Sequence, residues 1–304
     1  MDLVEGRAVV MTERSRRNAI IALARPYQWI KNGLVLAALI FGQRLFDPHE
    51  VSLAGVAFVA FCAISSTGYI INDISDREAD RLHPDKCQRP LASGELSVGE
   101  ATVIAAILGV AGLGLSATLG AEFLLIAAIY VAMQFFYSNY AKHVVIVDII
   151  VIAVGFVLRA YAGGVAIGVA VSPWLIFITF VLALFLSLAR RRHELIALGE
   201  SATSHRGALG EYSIGSIDQM ISIVAGATLV GYMIYTASPE VALKLHTQHL
   251  FLTVPFVAFG ILRYLHLVND CDEGGDPARL VLRDRPLLVS IILWVIADVL
   301  LLYF

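Results

Sequence analysis

The chain has 304 residues, of which 58% are hydrophobic and only 15% are charged, and its mean hydropathy is +0.77. An ordinary soluble domain carries roughly a quarter charged residues, so the composition excludes that class and indicates a protein built mostly inside a membrane. The net charge of −3 gives no reason to expect a nucleic-acid partner.

Residues 1–26 are polar and basic, and they predict a cytosolic N-terminal arm. Their apolar patch, 20–24, is too short for the hydrophobic region of a cleavable signal peptide. Residues 27–304 predict a single transmembrane domain. Because backbone polar groups in lipid must be bonded within their own segment, its apolar blocks predict α-helices. Nine spans are expected, at 33–46, 52–71, 98–118, 121–137, 144–168, 173–189, 215–236, 248–268 and 286–304.

The positions of Lys and Arg predict the orientation, because these residues favour cytoplasmic loops. With a cytoplasmic N-terminus, only Arg44 and Lys244 of the 22 Lys and Arg residues fall in loops on the opposite side, while Arg159 and Arg263 lie within spans. The distribution predicts a multi-pass protein of the inner (plasma) membrane whose C-terminus lies on the opposite side. A cytoplasmic polar cap is expected from the long loops 72–97, 190–214 and 269–285.

An acidic motif follows the second predicted span, where Asn72 precedes Asp73, Asp76 and Asp80. The spacing i, i+3, i+7 places the three carboxylates within about 60° of one another on one helical face. Such a stripe repels itself unless a cation lies within it, and hard oxygen ligands suit Mg²⁺, for which Mn²⁺ can substitute. The motif therefore predicts a metal site at the cytoplasmic face. The alternative is a solvated polar helix end.

Two cations follow the acids along the chain. Lys86 and Arg89 lie in a loop that Pro84 and Pro90 stiffen. A metal ion that bridges phosphate oxygens, with cations to neutralise the remaining charge, makes a site for a diphosphate group. The run 72–94 therefore predicts a diphosphate-binding site.

The acidic run also carries a family resemblance. The pattern Asn-Asp-x-x-Asp-x-x-x-Asp at 72–80 resembles the first signature of the UbiA superfamily of intramembrane prenyltransferases. The finer similarity is to the phosphoribosyl branch of that superfamily, on the segments 25–32, 83–94, 137–142, 155–160 and 282–285. The resemblance implies a nine-helix, UbiA-like bundle that opens sideways to lipid.

The activity that the resemblance implies is transfer of 5-phosphoribosyl from phosphoribosyl diphosphate (PRPP) to a polyprenyl phosphate such as decaprenyl phosphate. Diphosphate leaves, and the lipid product would feed arabinose donors for cell-wall polysaccharides. Lys31 belongs to the family motif at 25–32, so the resemblance implies a catalytic role for it. The acceptor tail would lie among membrane lipids. A homo-oligomer is compatible with the sequence.

One departure from the superfamily pattern bears on the substrate. Aromatic prenyltransferases of the superfamily carry a second aspartate-rich motif after the sixth span, whereas this chain has three arginines at 190–192 followed by Glu194. Arg191, Arg192 and Arg206 are therefore expected to hold a further phosphate, with Glu194 beside them in the substrate site. Anchoring of a helix end by arginines is the simpler alternative.

Four further polar residues are assigned to the substrate site. Tyr137 and Lys142 end the fourth span on the cytoplasmic side, where they either contact a phosphate or anchor the span. Asp148 and Arg159 share one helical stripe of the fifth span, and ionisable groups in spans normally face the bundle interior. For Arg159 the alternative is a structural ion pair with Asp298, which lies at comparable depth in the ninth span.

Two other functions stay open at this stage. A UbiA-type aromatic prenyltransferase would be expected to carry the second acidic motif that this chain lacks. A membrane transporter would use the charged face as a gate. Transporters often contain internal repeats and helices broken near the mid-membrane, and the sequence shows no convincing repeat.

Overall fold

The computed structural model describes residues 16–82, 86–198, 211–270 and 275–304, and within these ranges the chain is helical without a β-strand. The α-helices of the first half are α1 (Arg16–Ala24), α2 (Ala37–Phe41), α3 (Pro48–Ser75), α4 (Arg77–Leu82), α5 (Val98–Thr118), α6 (Ala121–Asn139) and α7 (Val147–Ala166). Those of the second half are α8 (Pro173–Leu198), α9 (Ile214–Ala237), α10 (Pro239–Leu245), α11 (Val254–Asp270), α12 (Pro277–Arg283) and α13 (Arg285–Tyr303).

Eight helices of the described part are long and apolar enough to cross a membrane: Pro48–Ser75, Val98–Thr118, Ala121–His143, Val147–Ala166, Pro173–Ala197, Ile214–Ala237, Leu250–Asn269 and Arg285–Tyr303. They coincide with the second to ninth expected spans, so the prediction of an all-α, multi-pass membrane protein is confirmed. Helix α3 begins earlier than its apolar run, because the Asp47 side chain accepts the His49 N–H and caps the helix.

The expected first span, 33–46, has a different structure. Residues Pro26–Leu36 form a 3₁₀-helix and α2 adds only five α-helical residues, so a nine-helix count is not confirmed. Close packing accompanies the tighter 3₁₀ geometry: a Cβ atom added to Gly163 of α7 would lie 2.0 Å from the Val35 carbonyl oxygen. The Asn32 amide also donates to Ser65 Oγ of α3 at 3.1 Å, which fixes the segment laterally.

The leading segment (26–41) nevertheless runs from one end of the bundle to the other. At its start, Arg25 forms an ion pair with Asp73, near the C-terminal end of α3. Just beyond its end, the Gln43 amide donates to the Leu245 carbonyl at 2.9 Å, and the Leu45 N–H donates to the Tyr303 hydroxyl at 2.9 Å. Those partners end α10 and α13, so the segment joins opposite ends of the molecule.

The described part contains four apolar cores, and α7 contributes to the two largest. One core packs the leading segment, α3, α6 and α7 around Phe61, Phe123 and Tyr130. The other packs α7, α8, α9 and α11 around Phe185 and Ile217. Helix α7 therefore links the half of the molecule that carries the acidic motif to the half that carries the arginines at 190–192.

The close contact at Gly163 gives a stability test. Gly163→Ala should lower the melting temperature (Tm) of the detergent-solubilised protein, because its new methyl group meets Val35 backbone atoms that cannot rotate away. Gly114→Ala is the matched control, since nothing lies within 4 Å of its added Cβ and alanine favours a helix by about 1 kcal/mol. Equal Tm values for the two variants would contradict this packing.

Candidate active site

The acidic motif lies at the junction of α3 and α4. Helix α3 ends at Ser75 and α4 begins at Arg77, but hydrogen bonding continues through the break, since the Asp80 N–H donates to the Asp76 carbonyl at 2.8 Å. Asp73 and Asp80 are buried, with 2% and 4% of their surfaces exposed. The helical register therefore persists and brings two of the three predicted carboxylates to one place.

A single guanidinium joins these two carboxylates. Arg89 Nη1 lies 3.0 Å from Asp73 Oδ1 and 2.6 Å from Asp80 Oδ2. Arg25 donates to the same Asp73 oxygen, and its backbone has a φ of 53°, a strained left-handed value for a non-glycine residue. Lys86 contributes its charge to the surroundings of Asp80. The predicted association of the acids with Lys86 and Arg89 is thus present in the structure.

Asp76 faces a different partner. Lys142 Nζ forms an ion pair with Asp76 Oδ1 and also donates to Ser75 Oγ at 3.1 Å. The Asn72 amide donates to the other Asp76 oxygen at 2.8 Å. Asn72 and Lys142, both predicted from the sequence, therefore bind Asp76. Arg89 binds both of the other acids, and Arg25 binds Asp73.

The donor set can be compared with the needs of a divalent ion. Within the described ranges, no three His, Cys, Asp or Glu side chains are close enough to hold a metal together. Asp73 and Asp80 do lie close enough together to bind the same nitrogen, Arg89 Nη1. Two carboxylates are enough for Mg²⁺, which commonly binds through one or two of them together with waters and substrate phosphate. The buried pair therefore fits Mg²⁺ once Arg89 withdraws, with Asp76 available only if Lys142 releases it.

Burial raises the pKa of the Asp80 carboxyl above its ordinary value, and the charge of Arg89 opposes the rise. Any cation that replaced Arg89 beside Asp80 would favour the ionised carboxylate in the same way.

A second cluster of charges lies where α7 and α8 meet. Arg191 is 1% exposed, and its Nε lies 2.5 Å from Asp148 Oδ2. It also forms an ion pair with Glu194 and donates to the Tyr137 hydroxyl at 3.0 Å. The Tyr212 hydroxyl donates to the other Asp148 oxygen at 3.1 Å. Four residues predicted for the substrate site thus lie together: Tyr137, Asp148, Arg191 and Glu194. Their charged and hydrogen-bonding groups are paired with one another.

The other predicted arginines are dispersed. Arg192 donates to Asp218 Oδ1 at 2.7 Å and to the Val268 carbonyl at 3.0 Å, which ties α8 to α9 and α11. Arg159 is buried in the first core, where it donates to Asn32 Oδ1 at 2.8 Å and to the Tyr130 hydroxyl at 2.5 Å. Arg206 lies outside the described residues.

The ion pair considered between Arg159 and Asp298 is not formed. Arg159 has the Asn32 and Tyr130 partners instead, and both Asp298 carboxyl oxygens are buried without a hydrogen-bond partner in the described part of the chain. The expectation rested on equal depth in the membrane, and depth alone does not set which side of a helix faces which neighbour.

An apolar cavity of about 710 Å³ lies beside the charged groups. It is bounded by the leading segment, α7, α8, α9, α11 and α13, and its lining is mainly hydrophobic. Lys31, Arg190 and Tyr264 supply polar groups on its wall. Sequence reasoning singled out Lys31 but missed the other two: Arg190 adjoins the chosen arginines, and a tyrosine in an apolar helix gives no signal that separates binding from packing.

Comparison with protein families and relatives identifies the family of the chain. Residues 33–283 match the model of the UbiA prenyltransferase family. The chain is 34% identical to the decaprenyl-phosphate phosphoribosyltransferase of Mycolicibacterium smegmatis over 91% of this chain and 90% of that protein. It is also 34% identical to the enzyme of the same name from Corynebacterium glutamicum, over 94% of this chain and 87% of that protein.

Solved structures agree with the fold. A UbiA homolog from Archaeoglobus fulgidus, determined with GPP and Mg²⁺, superposes with a TM-score of 0.70 and 19% identity, covering 94% of this chain and all of that one. An apo UbiA homolog from Aeropyrum pernix gives a TM-score of 0.58 at 14% identity, covering 91% of this chain and 98% of that one. The helix arrangement, the acidic motif and the sequence similarity agree: the chain belongs to the UbiA prenyltransferase family.

Proposed function

We propose that the protein transfers the 5-phosphoribosyl group of PRPP to a polyprenyl phosphate, releasing diphosphate and forming polyprenylphosphoryl-5-phosphoribose. Decaprenyl phosphate is the acceptor indicated by the names of the relatives that are 34% identical over nearly the whole chain. The product would serve as a precursor for cell-wall arabinan.

One observation carries the proposal. Two buried carboxylates and the cations Arg25 and Arg89 form a site for a diphosphate with a metal ion. Arg25 lies within electrostatic reach of Lys31, which lines a cavity that suits an apolar lipid tail. A soluble sugar diphosphate and a membrane lipid can therefore meet at one place. That arrangement explains why this chemistry would require a membrane-embedded enzyme.

Asp73 and Asp80 would hold Mg²⁺, for which Mn²⁺ would substitute. When bound, the ion would stabilise negative charge on the departing diphosphate. Arg89 and Lys142 would then exchange their carboxylates for phosphate oxygens, which accept charge-assisted hydrogen bonds equally well. Because the acceptor phosphate is already ionised at neutral pH, its oxygen can attack C1 of the ribosyl group without a general base. Lys31 would help to neutralise the two anions as they approach.

We further propose the membrane arrangement that this reaction needs. The leading segment (26–41) makes a ninth crossing, since a 3₁₀-helix rises about 2.0 Å per residue and reaches further than an α-helix of equal length. The N-terminus, the acidic motif and the polar cap face the cytoplasm, where PRPP would be available, and the C-terminus faces the other side of the inner membrane. The arm proposed at 1–26 lies in part outside the described residues, which begin at Arg16, and 27–304 would form one domain.

The metal requirement is the first test. Chelation should abolish turnover, and Mg²⁺ or Mn²⁺ should restore it. Asp73→Asn and Asp80→Asn should each reduce kcat by about 100-fold or more, the scale of losing one preorganised electrostatic group. Glu78→Gln is the matched control, because this acid of α4 is exposed and pairs only with neighbouring arginines. Full activity in excess EDTA would remove the metal from the mechanism.

The donor is the second test. Purified protein in detergent should release diphosphate from PRPP only when a polyprenyl phosphate is supplied. Geranyl diphosphate with 4-hydroxybenzoate should give no product, because the chain lacks the second acidic motif of aromatic prenyltransferases. Turnover of that pair, with none of PRPP, would favour the aromatic prenyltransferase alternative.

The role of Arg191 is the third test. Its removal leaves Asp148 and Glu194 buried without their cation, and breaking a buried pair in this way typically costs about 3–5 kcal/mol. Arg191→Ala should therefore lower Tm more than Arg192→Ala, whose partner Asp218 is partly exposed. If Arg191→Ala kept the wild-type Tm but lost the use of one substrate, Arg191 would contact that substrate, as the sequence analysis proposed.

A further inference from the structure

One part of the cavity wall carries polar groups whose bonding capacity is not used. Tyr264 is 3% exposed, and its hydroxyl has no hydrogen-bond partner in the described part of the chain, although it lines the cavity. A buried polar group without a partner costs stability, so natural structures keep few of them unless a ligand completes the bonding.

Two cations line the same cavity as this hydroxyl, and Arg190 lies within electrostatic reach of both Lys31 and Tyr264. Lys31 projects from the leading segment, and no ion pair or hydrogen bond of its amine is found among the described residues. Arg190 donates through Nε to Glu194 at 3.2 Å, and its outer guanidinium nitrogens have no hydrogen-bond partner in the described part.

The local charge favours an anion. The strongest electrostatic neighbours of Lys31 are three arginines, Arg25, Arg159 and Arg190, and one acid, Asp276. That acid is already engaged: Asp276 caps α12 by accepting the Ala278 N–H at 3.1 Å and accepts the Gln28 amide at 2.8 Å. Arg25 and Arg190 are balanced by Asp73 and Glu194, whereas Lys31 and Arg159 have no carboxylate partner in the described part of the chain. Positive charge therefore exceeds negative charge here, with the two cations Lys31 and Arg159 against the one acid Asp276.

We propose that Lys31, Arg190 and Tyr264 bind the phosphate headgroup of the polyprenyl phosphate acceptor, whose tail fills the adjoining apolar cavity. This assignment rests on the proposed function. A ligand that fits this part of the cavity needs an anionic head and a long apolar body. A polyprenyl phosphate has both, whereas PRPP is anionic but has no apolar body. The donor diphosphate then belongs to the separate site at Asp73, Asp80 and Arg89, so each anionic substrate has its own cations.

Binding in the absence of PRPP and divalent metal tests the subsite apart from turnover. Wild-type protein should bind farnesyl phosphate at least about tenfold more tightly than farnesol, since a charge-assisted hydrogen bond is typically worth that much. Inorganic phosphate alone should bind weakly, because it lacks the tail. Equal binding of farnesyl phosphate and farnesol would overturn the proposal even if PRPP is the donor.

Variants then locate the phosphate. Arg190→Gln should remove most of the preference for farnesyl phosphate, and Tyr264→Phe should reduce it by about three- to tenfold while leaving the ring packed on Phe185. Arg44→Gln and Tyr161→Phe are the matched controls, because both side chains are exposed and lie outside the cavity. Unchanged preferences in both test variants would place the headgroup elsewhere.

Turnover separates the two substrates. Arg190→Gln and Tyr264→Phe should raise KM for the polyprenyl phosphate and leave KM for PRPP within about twofold, since they would touch only the acceptor. A rise confined to PRPP would instead assign these residues to the 5-phosphate of the donor and overturn the proposal. If PRPP is not a substrate at all, the farnesyl phosphate preference still decides whether the lipid-phosphate subsite exists.

Discussion

The buried carboxylate of Asp73 is the constraint on which the site depends. A charge out of contact with water is costly unless it is paired and hydrogen-bonded, and Asp73 meets this need with Arg25 and Arg89. Arg25 precedes the leading segment and Arg89 lies in the loop after α4. The Asp73 carboxylate therefore holds both of these segments against the C-terminal end of α3. The strained backbone of Arg25 is consistent with a position fixed by that ion pair.

The two charged clusters differ in what they leave available. At the acidic motif, the cations come from side chains on separate segments, and phosphate oxygens can replace their carboxylate partners. At the α7–α8 contact, Arg191 is enclosed by Asp148, Glu194 and Tyr137, so these side chains join α8 to α7 and α6. Between these clusters, Lys31 and Arg190 face the cavity. Exposure differs between the two clusters as well, because the Arg89 side chain is 22% exposed and that of Arg191 is 1% exposed.

Much of this organisation could be predicted from the sequence. Long apolar blocks specify spanning helices because lipid allows few other backbone structures, and the spacing of Asp73 and Asp80 specifies a shared helical face. Hydropathy does not distinguish a 3₁₀-helix from an α-helix, so the form of the leading segment was not predictable. Adjacent helical residues point about 100° apart, and which of Arg190 and Arg191 reaches the cavity depends on how α8 is rotated against its neighbours. The expected ion pair of Arg159 with Asp298 is absent for the same reason, because it too depends on how each helix is rotated against its neighbours.

The most direct measurement is an experimental structure of the full chain with Mg²⁺ and PRPP bound. We expect the diphosphate group beside Asp73 and Asp80, with Arg89 moved from the two carboxylates onto phosphate oxygens and the Asp148–Arg191 pair unchanged. PRPP bound at another place, with Arg89 still lying between Asp73 and Asp80, would contradict the assignment of this acidic motif as the donor site.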